Sequence, residues 1–203
     1  MRRYVKKIAL VAALILGAGL TFSSLVCADQ EAYRIDDAHS FANWTIRHVA
    51  SKTSGTFSDI KGNILIDHNN LVNSSVEAKI NLLSVNSSLA KRDEHIKKSE
   101  YLDVEKFAEM TFVSSKIAAI NNTEGVISGA FTMHGVTKQM TFPFKVLGFG
   151  SDPWGGYRIG LEAHTTLKAS DFGFTWPLKS NTPVGDDIEI TLLIEGVKLP
   201  ANK

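Results

Sequence analysis

The residues of this chain that are most able to do chemistry are its six histidines and a short polar cluster that precedes the first long predicted strand. In that cluster Asp37, His39 and Ser40 contain the residue types of a hydrolase triad. Neighbouring residues on a strand point to opposite faces, so their adjacency does not predict a triad. The histidines lack the His-x-His or His-Glu-x-x-His spacing of a metal site, and no Gly-x-Ser-x-Gly elbow occurs. We therefore predict no catalytic residues and no metal ligands.

Two of these histidines keep an enzymatic alternative open. His48 falls on the predicted inward face of a strand together with Trp44 and Ile46, and His39 lies beside Asp37 in the sequence. A hydrolase or isomerase that uses His39 or His48 on an apolar substrate is the alternative hypothesis. An inward histidine is more often a hydrogen-bonded structural residue than a catalytic one, so the prediction remains a protein without enzymatic activity.

A second polar feature interrupts the segment from Leu89 to Phe107, where alternation stops and helix-forming residues become frequent. On a helix, Leu89, Arg92, Asp93 and Ile96 fall on one stripe, so two charges share the face that should bury two apolar side chains. Buried charges must be paired or must meet a polar group. We predict a helical plug in which Arg92 and Asp93 either make buried hydrogen bonds or meet the polar end of a ligand.

The first 28 residues have the pattern of a secretory signal peptide. Four basic residues precede an apolar stretch from Ile8 to Leu25, and small residues precede the predicted cleavage between Ala28 and Asp29. A lipoprotein anchor on Cys27 and a retained transmembrane helix are the alternatives. We expect export to the periplasm of a Gram-negative bacterium, with no stable membrane span after the leader is removed.

Removal of the leader changes the charge and leaves a single domain, residues 29–203. Of the 22 basic residues in the chain four lie in the leader, which leaves 18 against 21 acidic residues. This balance argues against nucleic acid as a partner, because phosphate backbones favour basic surfaces. The only cysteine, Cys27, leaves with the leader, so the mature chain has neither a disulfide nor a thiol nucleophile.

Most of the mature chain alternates apolar and polar residues with a period of two, which predicts about eight strands. Such strands belong to antiparallel sheets with one solvated face, and closure of the sheet removes its exposed edges. The prediction is a mainly β fold: a closed, antiparallel, lipocalin-like barrel of about eight strands, with one short helical segment packed beside it. A β-sandwich satisfies the same pattern. His134-Gly135 is predicted to form a tight turn between two strands.

The predicted inward faces are compatible with a filled core and with a cavity. They mix small residues, such as Ala78 and Ala163, with larger ones, and phenylalanine is frequent in the second half of the chain. A barrel of about eight strands either fills itself with side chains or holds one small ligand. Apolar walls with few polar groups suit an elongated apolar ligand.

An ordered set of motifs resembles the YceI-like family across nearly the whole mature chain. The motifs are Asp37-Ala38-His39-Ser40, Gly55-Thr56-Phe57, Arg92-Asp93-Glu94-His95, the segment from Tyr101 to Phe107, the segment from Gly129 to Lys138, and Ser170-Asp171-Phe172-Gly173. Ala108 departs from the family, which often has proline there, and Ala169 replaces a more usual basic or polar residue. The resemblance implies a lipocalin-type barrel with a long internal channel, periplasmic export, frequent dimers and binding of isoprenoid lipids.

Residues and resemblance together predict a periplasmic carrier or store for a long-chain isoprenoid lipid, either a polyprenyl phosphate or an isoprenoid quinone. Another long-chain amphiphile as ligand and a homodimer are also compatible with the pattern, and no cofactor is expected. A non-lipid binding module with a filled barrel is a further alternative. The candidate ligand-binding residues are Trp44, Ile46, His48, Ala78, Ile80, Arg92, His95, Phe131, Phe142, Phe144, Leu161, Ala163 and Phe172. Of these, His48, Arg92 and His95 are expected at the polar end of the ligand, since they interrupt apolar faces.

Overall fold

The computed structural model describes residues 30–200, so the predicted signal peptide and its cleavage site at Ala28 and Asp29 lie outside the described residues. Within this range the chain forms eleven strands in one antiparallel sheet. The strands are β1 Gln30–Ile35, β2 Phe41–His48, β3 Ser51–Phe57, β4 Ile60–Asp67, β5 Ser75–Asn81, β6 Val85–Asn86, β7 Glu109–Ala119, β8 Glu124–Met133, β9 Val136–Ser151, β10 Tyr157–Lys168 and β11 Val184–Lys198. The α-helix of the described range is α1, Ala90–Ile96, and the 3-10 turns are Asp37–His39, Leu71–Asn73, Leu82–Ser84, Ala169–Phe172 and Trp176–Leu178.

Eight of the strands close into a barrel. Their order is β1-β4-β5-β7-β8-β9-β10-β11, and β11 pairs back with β1. The remaining strands, β2, β3 and β6, extend the wall, because the first part of β11 pairs with β2 while its last residues pair with β1. The prediction of a closed antiparallel barrel with a helix beside it is confirmed, and the sandwich alternative is wrong.

The segments of the sequence that alternate clearly fall on β2, β4, β5 and β7 to β11, which gives the predicted number of eight, and β1, β3 and β6 lie outside them. Of these, β6 has two residues and β3 is rich in small polar residues, so neither carries a clear alternation. The predicted turn at His134-Gly135 is present. Both residues have positive φ, 52° and 76°, and the flanking Met133 and Val136 pair directly.

The predicted helix from Leu89 to Phe107 is shorter in the structure, where α1 ends at Ile96. Residues 97–107 fold into turns instead, with Asp103 in the left-handed region at φ 48° and Val104 buried behind it. The prediction that Leu89 is buried is wrong, since 54% of it is exposed. The helix stops at Ile96 because the backbone carbonyls of Ile96 and Lys97 accept from the N–H groups of Leu102 and Val104, at 3.0 and 3.1 Å, instead of continuing the helical ladder.

The seam between β1 and β11 is the shortest pairing in the closed circuit. Its register has three pairs, Tyr33 with Lys198, Arg34 with Val197, and Ile35 with Gly196. A Cβ on Gly196 would lie 3.0 Å from Ile159 Cγ2 and 3.0 Å from Tyr33 Cβ, so glycine permits the close packing of the strands here. Closure therefore depends on few backbone contacts and on side chains that flank them.

Arg158 on β10 connects the elements on both sides of this seam. Its guanidinium donates to Asp36 Oδ2 at 2.6 Å, to Asp152 Oδ2 at 2.8 Å and to Glu195 Oε1. The hydrogen bond from Arg158 holds the pKa of the Asp152 carboxyl below its ordinary value. Burial raises the pKa of Asp36, but hydrogen bonds from Arg158 and His39 outweigh it and lower the pKa below its ordinary value. One cation thus joins β10, β11 and the residue that follows β1.

Replacement of this cation gives a pH-dependent test of the seam. We expect Arg158→Met to lower the urea midpoint of unfolding, because three carboxylates lose their common partner. A carboxyl whose pKa is lowered by folding stabilises the protein above its unfolded pKa, and this contribution is lost as pH falls through the folded value. The deficit of the variant should therefore be largest near pH 7 and should shrink towards pH 2.

The matched control is Lys145→Met, which removes an exposed ion pair of 3.3 Å with Glu124 between β8 and β9, two strands that do not form the seam. We expect a negligible change at either pH. A deficit for Arg158→Met that is the same at pH 7 and pH 2 would contradict the electrostatic role.

Candidate functional site

The barrel encloses an apolar cavity of about 160 Å³, which we name the barrel chamber. Inward-facing side chains of nearly every barrel strand line it. Those used below are Ala78, Ile80, Phe112, Phe131, Phe142, Phe144, Leu161 and Ala163. A cavity of this size and lining remains dry and accepts an apolar group.

A second space of about 390 Å³, the helix-side chamber, lies beneath α1 and the turns around it. Its apolar lining comes from β2, β11 and the loop before β11, among others. The polar or charged side chains on its wall are Trp44, His48, Thr53, Arg92, His95, Tyr101 and Trp176. His48, His95 and Pro183 are exposed, so they form the rim at which this chamber meets solvent.

The two chambers adjoin, because Phe57, Met110, Leu167 and Ile190 line both of them. Many inward side chains are only half-buried although they lie inside a closed sheet; Val76, Ala78, Ile80, Phe131, Phe144, Leu161 and Ile194 share this property. An inward side chain retains accessible surface only when the space in front of it is not filled. The interior therefore contains a cavity that its buried apolar residues surround but do not fill.

Two glycines on β8 explain how aromatic residues leave this space open. A Cβ on Gly129 would lie 2.7 Å from the Phe112 ring, and a Cβ on Gly125 would lie 2.8 Å from the Phe144 ring. Both rings therefore lie against the backbone of β8, where another residue would have a side chain. Aromatic rings that lean on the wall occupy less of the lumen than rings that point along its radius.

Twelve of the thirteen candidate residues line one of the two chambers. Ala78, Ile80, Phe131, Phe142, Phe144, Leu161 and Ala163 line the barrel chamber, and Trp44, Ile46, His48, Arg92 and His95 line the helix-side chamber. Phe172 lines neither chamber: it is buried behind the wall, with its ring edge-to-face against Phe131 at 5.4 Å. Contact of the twelve with a ligand stays a prediction.

His48 differs from its predicted environment. It is the last residue of β2 and is exposed, because the strand ends there in a turn at the rim of the helix-side chamber. It lines the helix-side chamber together with Trp44 and Ile46, as expected for one strand face, but unlike them it is exposed.

The predicted polar contacts of Arg92 and Asp93 converge on one buried residue, Ser87. The Asp93 carboxylate accepts hydrogen bonds from the backbone N–H and the hydroxyl of Ser87, at 2.8 and 2.5 Å. Arg92 Nε donates to the Ser87 hydroxyl at 2.7 Å, and its Nη2 donates to the Ser87 carbonyl. The two charges thus anchor α1 to the segment that precedes it, as in the first of the two alternatives.

The residues of the suspected triad do not assemble in the structure. His39 Nδ1 lies 2.8 Å from Asp36 Oδ2, and the Ser40 hydroxyl donates to the backbone carbonyl of Glu195 at 3.2 Å. Asp36, His39 and Glu195 lie close enough together to hold a metal ion, but the Arg158 guanidinium already binds both carboxylates. The ring of His134 stacks on that of Phe174, with centroids 4.4 Å apart, and its Nδ1 lies 3.1 Å from the Phe172 carbonyl oxygen, which can accept a hydrogen bond from it. These contacts fit the predicted structural role of His134 at its turn.

Several lining residues were not identified from the sequence. Met110 and Phe112 on β7 line the barrel chamber two residues apart, and this spacing is the signal that could have identified them. Tyr101 and Trp176 lie in turns without periodicity, so no pattern marked them. Among residues 30–200, none of the helices has the length and apolar character needed to cross a membrane.

A closed antiparallel barrel with an apolar cavity under a helical cover defines this chain as a hollow β-barrel protein. The model of the YceI-like domain matches residues 33–196, and the chain belongs to that family. The UPF0312 protein of Shewanella sp. (strain ANA-3) is 38% identical over 190 residues, which covers 93% of this chain and 97% of that protein.

Solved structures show the same fold. The crystal structure of Burkholderia cenocepacia BcnA has a TM-score of 0.71 at 20% identity, covering 79% of this chain and 98% of that one. A polyisoprenoid binding domain from Saccharophagus degradans, implicated in plant cell wall breakdown, has a TM-score of 0.64 at 16% identity, covering 83% and 99%.

The anchor at Ser87 gives a test of how α1 is held over its chamber. We expect Asp93→Ala to destabilise the protein by about 1–3 kcal/mol, because a buried serine loses the acceptor of two hydrogen bonds. Hydrogen exchange of the α1 amides should accelerate more than exchange in β8 and β9. Glu94→Ala, at an exposed position of the same helix, is the control and should leave both measurements unchanged. Equal effects of the two substitutions would contradict the anchoring role.

Proposed function

We propose that this protein is a periplasmic carrier or store for a long-chain isoprenoid lipid, either a polyprenyl phosphate or an isoprenoid quinone. The observation that carries the proposal is the pair of adjoining chambers, whose walls are almost entirely apolar. A similarly folded domain is named as polyisoprenoid binding. The leader pattern of residues 1–28 supports export to the periplasm.

The driving force for binding is burial of the lipid tail. Transfer of each methylene from water contributes roughly 0.8 kcal/mol, so several isoprene units offset an association penalty of about 4–15 kcal/mol. Apolar walls recognise no specific group along the tail, which makes selection among tails loose. Polar groups occur chiefly on the wall of the helix-side chamber, and we place the head group there with the tail in the barrel chamber.

The first experiment identifies the cargo of the protein. Native mass spectrometry of protein exported to the periplasm should show an added mass, and organic extraction should release an isoprenoid lipid. Protein that carries no lipid and binds none of a panel of polyprenyl phosphates and quinones would contradict the proposal. A lipid that the purified protein converts chemically would favour the enzymatic alternative.

A cavity-filling substitution tests where the tail lies. Ala163 on β10 faces the barrel chamber, whose volume of about 160 Å³ is comparable with one that accepts a benzene ring. We expect Ala163→Phe to fold with a stability change within about 1–3 kcal/mol and to lose most of its bound lipid.

The matched control is Thr166→Phe, which adds a phenyl ring to an exposed position of the same strand. This variant should retain the lipid. Retention of lipid by both variants would show that the tail lies elsewhere, and loss by both would show a general effect of the added ring.

A further inference from the structure

A residue that lines the helix-side chamber has a buried polar atom without a partner among the described residues. Trp44 is 6% exposed, it lines this chamber, and its indole Nε1 has no hydrogen-bond partner among residues 30–200. Buried N–H groups in proteins are nearly always paired, and an unpaired one costs free energy comparable with a lost hydrogen bond. By contrast, Trp176 lines the same chamber and donates its indole N–H to the Gly185 carbonyl at 3.1 Å.

The charged and titratable side chains on this wall are Arg92, His48, His95 and Tyr101, and each of them can donate a hydrogen bond. Arg92 is a permanent donor, and His48 and His95 are imidazoles at the rim. Within the described range no aspartate or glutamate lines the chamber. Such a wall offers donors to an oxygen that accepts hydrogen bonds, and it offers no carboxylate to a cationic head group.

We propose that Trp44 donates its indole N–H to the head group of the bound lipid, and that the helix-side chamber selects head groups that are hydrogen-bond acceptors. The chemistry that it recognises is an oxygen acceptor, either a quinone carbonyl or a phosphate, at the end of a long apolar tail. This inference rests on the proposed function. It goes beyond that function by naming Trp44 as the residue that recognises the head group. It also states that head groups with an oxygen acceptor are bound and that amines are rejected.

The wall around Trp44 can accommodate the approach of such an oxygen. Nε1 is covered in this structure, so a head group reaches it only when neighbouring side chains move. Met110 and Met133 line the same chamber, and methionine is unbranched and changes rotamer easily. The indole itself packs against Gly55, where a Cβ would lie 2.4 Å from Cζ2 and 2.7 Å from Cε2, so the ring cannot shift towards β3 and the methionines must give way.

The test compares Trp44→Phe, which removes the N–H and keeps an aromatic ring, with the unsubstituted protein. Four probes share one tail: a naphthoquinone with a geranylgeranyl chain, geranylgeranyl phosphate, geranylgeranyl amine and the corresponding hydrocarbon. The dissociation constant of the quinone should rise about three- to tenfold in the variant, and that of the phosphate more than tenfold if phosphate is the natural head group. The hydrocarbon should bind both proteins equally, and the amine should bind the unsubstituted protein no better than the hydrocarbon.

The pattern of losses distinguishes the sources of the acceptor. A loss confined to the quinone assigns a carbonyl head group, and a loss confined to the phosphate assigns a phosphate. Equal losses for all four probes, or no loss for any, would overturn the hydrogen bond from Trp44 while leaving lipid binding intact. Tight binding of the amine would overturn the selection of acceptors. If no probe binds the unsubstituted protein, the proposed function itself fails.

Trp176→Phe is the matched control, because it removes a second indole N–H from the same chamber. It should lower stability, through loss of the hydrogen bond to Gly185, without altering the order of the affinities for the four probes.

A second experiment uses the unsubstituted protein, so it does not depend on the folding of Trp44→Phe. The chain has three tryptophans, Trp44, Trp154 and Trp176, so its indole N–H signals in a nitrogen–proton spectrum are readily assigned. The Trp44 signal should move when an acceptor-headed probe is added and not when the hydrocarbon is added; no difference between the two would overturn the proposal.

Discussion

Closure of the sheet at the β1–β11 seam is the constraint on which the rest of the structure depends. Only three residue pairs join the two strands, yet this pairing turns a curved sheet with two free edges into a closed wall. Once the wall is closed, the apolar faces of its strands surround a space that is screened from water. Gly196 allows the strands to approach, and Arg158 ties β10 and β11 to the residue that follows β1. The cavity exists because the circuit is complete.

A closed barrel of this size can be filled with side chains or hollow. In this chain a few small residues on the wall keep it hollow. Ala78 and Ala163 project little into the lumen, and Gly125 and Gly129 allow two phenylalanine rings to lie flat along the wall. The same number of aromatic rings pointing to the axis would fill the interior. An open lumen lacks the dispersion contacts that a fully packed core would have. The binding of a lipid tail would restore them.

The cover of the helix-side chamber is built from short segments that depend on one another. α1 has seven residues and is held through Ser87, since a helix of that length has little stability of its own. A chain of ring contacts, with centroids 4.4 to 5.2 Å apart, joins the cover to the loop before β11; it comprises His95, Tyr101, Trp176, Phe174, His134 and Phe107. The apolar barrel chamber and the donor groups near α1 are neighbours, because the two chambers share part of their lining.

The sequence alone determined which face of each long strand is apolar, because alternation with a period of two is a local property. From that pattern followed the antiparallel sheet, the turn at His134-Gly135 and most of the lining residues. Only the tertiary structure decided the length of α1, which ends at Ile96, before the turns that bury Val104. It also placed His48 on the rim, Phe172 behind the wall, and Trp44 without a partner. The seam and the open lumen could not be predicted from local patterns, because both depend on the spacing between strands that are distant in the sequence. Contacts such as those of Gly196 and Gly129 set that spacing.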